Sequence, residues 1–451
     1  MNILHYALGL PPYRSGGLTK YAGDLMSAQS ANGEVVFLLY PGDYTFWRLP
    51  KMKIAGKKTY NNTSVYEIKN PSPVPLLHGV RNPSDLFNNR QKLSERVLNQ
   101  FYNEVKPEVF HIHTLMGLPL ELLVFFKKKG VKIIFTSHDY YGLCMKVNFI
   151  NQDGELCNTP GGKQCAFCNR NAPGSLFLRL RNSGYILKHK AKLAGTGLNK
   201  EIKRESTPKI FAPGYDQVAA YSNLLNYYQV LFEHVDCIHF NSTISKEVYE
   251  KYLTPKQSVV LPISHLGIKD DRRLKNIDKN HIRLAFIGGT TVYKGFPMLK
   301  KVLCNLNNNG ITNWSLQVWG GATGPDVDCD KIYYKGKYSP DNMEPVYNNF
   351  DLLIVPSVWK ETFSLTTLEA LSYGVPVLVS NNVGAKDIVD GYNPDFIFHP
   401  SQEALYLKLQ VILNNYEIIE DYNKEICRNE FEYSPDNHLQ KIKQLYTNLL
   451  L

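Results

Sequence analysis

Glu361-Thr362-Phe363-Ser364-Leu365-Thr366-Thr367-Leu368-Glu369, running on into Ala370-Leu371-Ser372-Tyr373-Gly374-Val375-Pro376-Val377-Leu378-Val379, carries the most information in this chain. Glu361 follows the apolar run Leu352-Leu353-Ile354-Val355, so it stands in the loop after a strand. Glu369 falls about one turn into a short helix, which Gly374 and Pro376 stop before a new strand begins at Val377. Strand–loop–helix–strand units of this kind build ligand crevices at the carboxyl ends of open α/β sheets. The free N–H groups at the helix start suit an anion, most simply a diphosphate. The ionised carboxylates suit sugar hydroxyls, because they only accept hydrogen bonds. Thr366-x-x-Glu369 also reads as a capping box, which would turn Glu369 onto the backbone instead.

Working outward, 451 residues exceed one ordinary core, so two domains are expected. Alternating strand and helix signals open at Ile3–Leu8, pass through the Pro/Gly loop 9–17, and continue with strands at 35–39, 109–113 and 132–136. Residues 51–96 read as loops and short elements. Regularity breaks from Cys144 to about Lys209 and resumes with a helix over 216–232 and a strand at 237–240. The charged stretch 270–281 reads as a linker. A second alternating series follows, with strands at 283–287, 315–319 and 352–355. Alternation of this kind means parallel sheets. The expected division is an N-terminal domain, 1–269, with an insertion at about 140–215; a second domain, 281–435; and a terminal helix, 436–451, able to return to the first.

The net charge of +10 is concentrated. Between Lys127 and Tyr215 stand 16 Lys/Arg against 5 Asp/Glu, which leaves the remainder near neutral and points to a local partner. The N-terminus reads as a first strand rather than a signal peptide, and no apolar stretch is long enough to span a membrane. A cytosolic chain with mostly reduced or metal-bound cysteines is expected. Cys144, Cys157, Cys165 and Cys168 form C-x12-C-x7-C-x2-C, an all-sulfur set that suits structural zinc; unrelated free thiols are the alternative. Phe177, Leu180, Leu187 and Ala191 share one face of a helix running through Gly184. Arg179, Arg181, Lys188, Lys190 and Lys192 border that face, a pattern suited to an anionic membrane surface; a solvated helix packed on the core is the alternative.

Gly288-Gly289-Thr290-Thr291-Val292-Tyr293-Lys294-Gly295 follows the first strand of the second series. Its glycines admit a diphosphate closely, and Lys294 supplies positive charge. His138-Asp139 stands at the end of the strand 132–136. His111 and His113 read as core or crevice-lining.

Taken together, these motifs resemble the retaining, nucleotide-sugar-dependent glycosyltransferases of family four. Their E-x7-E signature matches Glu361 and Glu369, most specifically within residues 284–390. The resemblance implies an α/β GT-B fold, two facing Rossmann-like domains with a cleft between them. It implies transfer of a hexose-type sugar from a UDP- or GDP-sugar to a saccharide or lipid-linked saccharide, as in bacterial polysaccharide biosynthesis. Glu361, Lys294 and His138 would be catalytic, with His138 near the reacting carbon. Donor-binding positions would be Gly16, Gly17, Gly288, Gly289, Lys294, Lys337, Tyr338, Ser364, Leu365, Thr366 and Glu369, the last on the ribose. The family's usual Arg is replaced by Gly289, and a cysteine-rich insertion after the His-Asp is found in some bacterial members. No catalytic metal is expected, and the resemblance implies a cytoplasmic protein peripheral at the inner face of the cell membrane. A nucleotide-sugar epimerase or hydrolase of the same fold is one rival. A zinc-containing nucleic-acid-binding protein is another, though it leaves E-x7-E unexplained, so no nucleic-acid partner is expected.

Overall fold

The computed structural model describes residues 1–11, 13–45, 51–56, 59–87, 92–187, 214–321, 323–326, 328–339 and 342–451. The chain divides into two compact units. The first comprises Met1–Phe240, Val248–Val259 and Ile442–Leu451; the second comprises Asn241–Glu247 and Val260–Lys441.

The first unit is built on an eight-stranded sheet: β1 (Asn2–Tyr6), β2 (Val35–Pro41), β3 (Lys53–Gly56), β4 (Ser64–Lys69), β5 (Val109–Ile112), β6 (Lys132–Thr136), β7 (Cys237–Phe240) and β8 (Ser258–Val260). Their order across the sheet is β3-β4-β2-β1-β5-β6-β7-β8. β1 pairs in parallel with both β2 and β5, and β3 runs antiparallel to β4. The second unit carries β9 (Ile282–Ile287), β10 (Trp314–Trp319), β11 (Thr323–Pro325), β12 (Ile332–Gly336), β13 (Leu352–Val355), β14 (Val377–Ser380) and β15 (Ile397–Phe398), ordered β11-β12-β10-β9-β13-β14-β15.

Both sheets reverse their order at the first strand of the unit. Successive crossovers go one way from β1 or β9 and then the other, so the helices on the two faces part at that strand's carboxyl end and leave a crevice. Two central strands of the second sheet are aliphatic runs, Leu352-Leu353-Ile354-Val355 and Val377-Leu378-Val379, all buried. That is the pattern of a sheet covered on both faces. The two parallel-sheet units make this a GT-B fold.

Elements fall near their expected places. The helix expected at 216–232 spans Tyr215–Glu233, and the terminal helix spans Pro435–Leu450. The stretch 270–281 belongs to the second unit rather than to a free tether. Arg272 donates to the carbonyls of Ile426 and Asn429, and Lys275 donates to those of Tyr347 and Phe350. The helix expected to run through Gly184 is broken. It spans Ser175–Arg181, and Asn182 then turns its amide onto the carbonyls of Leu178 and Val74. Lys188, Lys190, Ala191 and Lys192 lie outside the described residues.

Candidate functional site

Because β9 and β13 are neighbours, the loops that leave their carboxyl ends meet. From β9 the chain passes Gly288 (φ +146°) and a single 3-10 turn, Val292–Lys294, closed by Gly295 (φ +76°). A side chain at Gly295 would collide with the carbonyl of Pro356, which leads out of β13, so glycine is required for the two loops to touch. Across that contact, Lys294 Nζ lies 2.6 Å from Glu361 Oε1. Ser357 donates its hydroxyl to Glu361 Oε2 at 2.6 Å. The side chain of Glu361 is only 12% exposed and that of Lys294 28%. The Trp359 ring stands 5.5 Å from the ammonium.

Glu361 does not sit on a loose loop. Its N–H donates to the carbonyl of Asn382, and its own carbonyl accepts from Gly384. The segment therefore pairs in parallel with the chain after β14, through the bridge Glu361–Val383. Beyond it, Ser364 holds φ +113°, a conformation that is strained for a residue with a side chain. Such strain costs roughly 1–3 kcal/mol and concentrates at functional sites. The helix Leu365–Ser372 begins there with no side-chain cap. Thr366 is inside the helix rather than at its cap, so the capping-box reading does not describe this turn. Thr367 donates its hydroxyl to Ser364 Oγ instead.

Glu369 faces inward within the second unit. His265 Nε2 lies 3.0 Å from Glu369 Oε1, while the His265 Nδ1 accepts the N–H of Gly267. That second bond places the proton on Nε2, so His265 donates to the carboxylate. Tyr347 donates to Oε2 at 2.6 Å and Tyr338 at 3.3 Å. Burial raises the Tyr347 hydroxyl well above its ordinary pKa, and the adjoining Glu369 charge adds to this, so it remains a donor. Tyr338 was expected in the site; His265, Tyr347 and Ser357 were not. Lys337, by contrast, is exposed.

In the first unit, Gly16 (φ +114°) and Gly17 open the helix Gly17–Ala31 after β1. The same loop borders a cavity of about 830 Å³, lined by Leu8, Leu10, Tyr13, Tyr40, Tyr60 and Tyr185 and by the polar Arg14, Asp43 and Glu67. Arg14 donates to Asn182 Oδ1 at 2.9 Å. His138 lies just past β6, half-buried against the ring of Tyr21. Burial, with His239 nearby, pushes its pKa down to about 3. Burial pushes the Asp139 carboxyl up to about 6.

None of the four expected metal ligands is joined in a disulfide. Cys165 and Cys168 lie on one short helix, Gly162–Cys168. Backbone N–H groups are directed at three of the sulfurs: Lys146 and Phe149 at Cys144, Thr159 at Cys157, and Gly161 at Cys165. Burial pushes the thiols of Cys144 and Cys165 up to about 11 and about 12. Among the described residues, the group close enough to share an ion is His5, His111 and His113, not the cysteines.

Residues 281–415 match the family model described as glycosyl transferases group 1. This segment is similar to group 1 glycosyltransferase domains. It holds Lys294, Glu361 and Glu369 together. The chain is 22% identical over 192 residues to the uncharacterized glycosyltransferase MJ1607 of Methanocaldococcus jannaschii, covering 40% of this chain and 46% of that one. It is 22% identical over 307 residues to an uncharacterized 42.6 kDa protein in the cps region of Klebsiella pneumoniae, covering 67% and 65%. The chain thus spans about half to two thirds of the length of these curated relatives. Anabaena HepE, solved in complex with UDP, shares the fold with a TM-score of 0.58 at 12% identity, covering 99% of this chain and 100% of that one.

Proposed function

We propose that the protein is a retaining glycosyltransferase that moves a hexose-type sugar from a UDP- or GDP-sugar to a saccharide or lipid-linked saccharide in bacterial polysaccharide biosynthesis. The observation that carries this is the meeting of Lys294 and Glu361 at the switch point of the second sheet, beside an uncapped helix start. An arriving diphosphate takes Lys294 from Glu361 and accepts the N–H groups at Leu365 and Thr366. Glu361, released from its ion pair and still held by Ser357, accepts from hydroxyls of the sugar. Glu369, fixed by three donors, accepts from the ribose. We assign His138 the role at the reacting carbon that the family resemblance implies. Catalysis is positioning plus electrostatic stabilisation of the departing diphosphate, with no catalytic metal. The cavity beside Arg14 is the proposed acceptor site, since it joins apolar and tyrosine walls to one guanidinium. The relative from a cps region supports the reading of a polysaccharide context.

The test is release of nucleoside diphosphate from a panel of nucleotide sugars, followed by NMR of the product's anomeric proton. Release that requires an acceptor, with the donor's anomeric configuration kept, is expected. Acceptor-independent turnover would instead favour the epimerase or hydrolase reading.

We also propose a structural zinc at Cys144, Cys157, Cys165 and Cys168. N–H groups directed at sulfur favour the thiolate, and a divalent ion would balance the buried charge. Elemental analysis should find one zinc per chain, and its removal should loosen residues 144–168 while the second unit stays folded. Active protein without zinc would reject this. Leu176, Phe177, Leu180 and Tyr185 are exposed near Arg179 and Arg181, and we propose that they rest on an anionic bilayer. Vesicles with anionic lipid should retain the protein, and about 0.5 M salt should release it. Equal retention on neutral vesicles would contradict the electrostatic argument.

A further inference from the structure

The core of the first unit contains five histidines, on strands or just past their ends, joined in one buried network of hydrogen bonds. His5 Nε2 meets Gln29 Oε1 at 2.7 Å, and His5 Nδ1 meets His113 Nε2 at 2.9 Å. His113 Nδ1 meets His138 Nε2 at 3.1 Å. A second branch leaves the other side of the same amide. Gln29 Nε2 donates to the Tyr446 hydroxyl at 3.1 Å, which meets His111 Nδ1 at 2.6 Å. His111 Nε2 then meets Thr136 Oγ1 at 2.6 Å, and Thr136 Oγ1 meets His239 Nδ1 at 2.9 Å. Gln29, His5, His111, His113 and His239 are all 0–2% exposed.

A neutral imidazole has one donor and one acceptor nitrogen, so a bond of fixed direction at one end fixes every bond that follows. The three rings of the first branch are held neutral: burial lowers His5 to about 4 and His138 to about 3, and holds His113 well below its ordinary value. The carbonyl oxygen of Gln29 can only accept. His5 therefore carries its proton on Nε2 and accepts at Nδ1. His113 must donate to it from Nε2, and His138 must in turn donate from Nε2 to His113. On the other branch the amide nitrogen can only donate. Tyr446 passes its proton to His111 Nδ1, His111 donates from Nε2 to Thr136, and Thr136 donates to His239 Nδ1.

We infer that Gln29 is a positioning residue which sets the tautomer of His138 through His5 and His113, holding it as the Nε2–H form with Nδ1 as the acceptor nitrogen. The opposite amide orientation would reverse every bond in both branches at once, so the network has two self-consistent states and no cheap mixture of them. The nearness of His5, His111 and His113, whose ring nitrogens lie within 4.8 Å, also suits a metal ion. Both nitrogens of each of these rings already engage a partner, and an ion would have to break those bonds. The inference rests on the proposed role of His138 and deepens it by naming Nδ1 as the ring nitrogen that carries the lone pair rather than the proton. The tautomer itself does not depend on the reaction, so its failure and that of the transferase reading are separable.

Histidine-selective 13C and 15N labelling of the full chain reads tautomers directly by NMR, with the His138 signal assigned by its loss in His138→Gln. Wild type should show His138 as Nε2–H in an excess on the order of tenfold, the worth of one buried hydrogen bond. Gln29→Met keeps the length and shape of the side chain and removes both amide groups; it should reduce that excess to a mixture. Tyr446→Phe cuts only the second branch, so His138 should keep its tautomer while His111 loses its own. A structural role for Gln29 would instead let both variants disturb all the histidines alike. Predominant Nδ1–H at His138 in wild type would overturn the inference, as would an unchanged ratio in Gln29→Met or a metal bound to the three histidines.

Discussion

The two sheets share a topology and differ in where they keep their polar chemistry. In the second sheet the central strand β13 is wholly aliphatic and buried, and the charged pair of the candidate site stands in the loops beyond β9 and β13, where Lys294 meets Glu361. The first sheet carries His5, His111, Thr136 and His239 inside its strands, fully buried. Polar groups in loops can exchange partners with a ligand at little cost to the core. Polar groups within a sheet must satisfy one another, because each unpaired one costs about 1–3 kcal/mol. The contrast separates a site built for exchange from a network built to stay fixed.

The largest effect expected of this contrast is at Glu361. Glu361→Ala should lower sugar transfer by about a thousandfold or more, the scale of removing a group that acts on developing charge. Because the Glu361 backbone is pinned by pairing, the stability cost should be small, about 1–2 kcal/mol from Ser357 and Lys294 losing their partner. Turnover near wild type would remove the donor-site assignment. Next is Glu369→Gln, which puts an amide opposite the donors His265, Tyr347 and Tyr338. Nucleotide affinity by calorimetry should fall roughly ten- to a hundredfold, about 1.4–2.8 kcal/mol. Unchanged affinity would make Glu369 a structural carboxylate.

A separate effect belongs to the first unit and to pH. His5 and His138 titrate near 6.5 when unfolded and near 4 and 3 when folded. Between those values the unfolded chain binds more protons. Their contribution is complete above about 6.5 and is lost as pH falls toward the folded values, at up to about 1.4 kcal/mol per pH unit for each ring. Asp139, raised by burial to about 6, opposes this between 3.8 and 6. Three depressed histidines, including His113, outnumber one carboxyl. The melting temperature should therefore drop from pH 7 to pH 5, and a flat profile would contradict the neutral network.

The second unit was the more legible from sequence because its information is local. Glycines at 288 and 295, the lysine between them and two carboxylates eight positions apart all lie close to strand ends that periodicity marks. His265 was not legible: it meets Glu369 from 104 residues away, and a lone histidine before Leu266-Gly267 carries no spacing signal. The capping box failed for a related reason, since Ser364 takes a positive φ that shifts the helix start by two residues. The histidine network could not be read either. His111 and His113 look like core residues, which they are, but Gln29 and Tyr446 join them from distant helices. The break at Asn182 depended on Val74, a partner in another segment.

The central claim is that Lys294 and Glu361 form a diphosphate-sugar site. Calorimetric titration of UDP- and GDP-sugars into wild type and Lys294→Ala tests it most directly. The account predicts saturable binding of at least one nucleotide sugar by wild type, weakened on the order of a hundredfold in Lys294→Ala by loss of a charge-assisted contact. Equal affinity in the two proteins, or no binding of any nucleotide sugar by wild type, would contradict it.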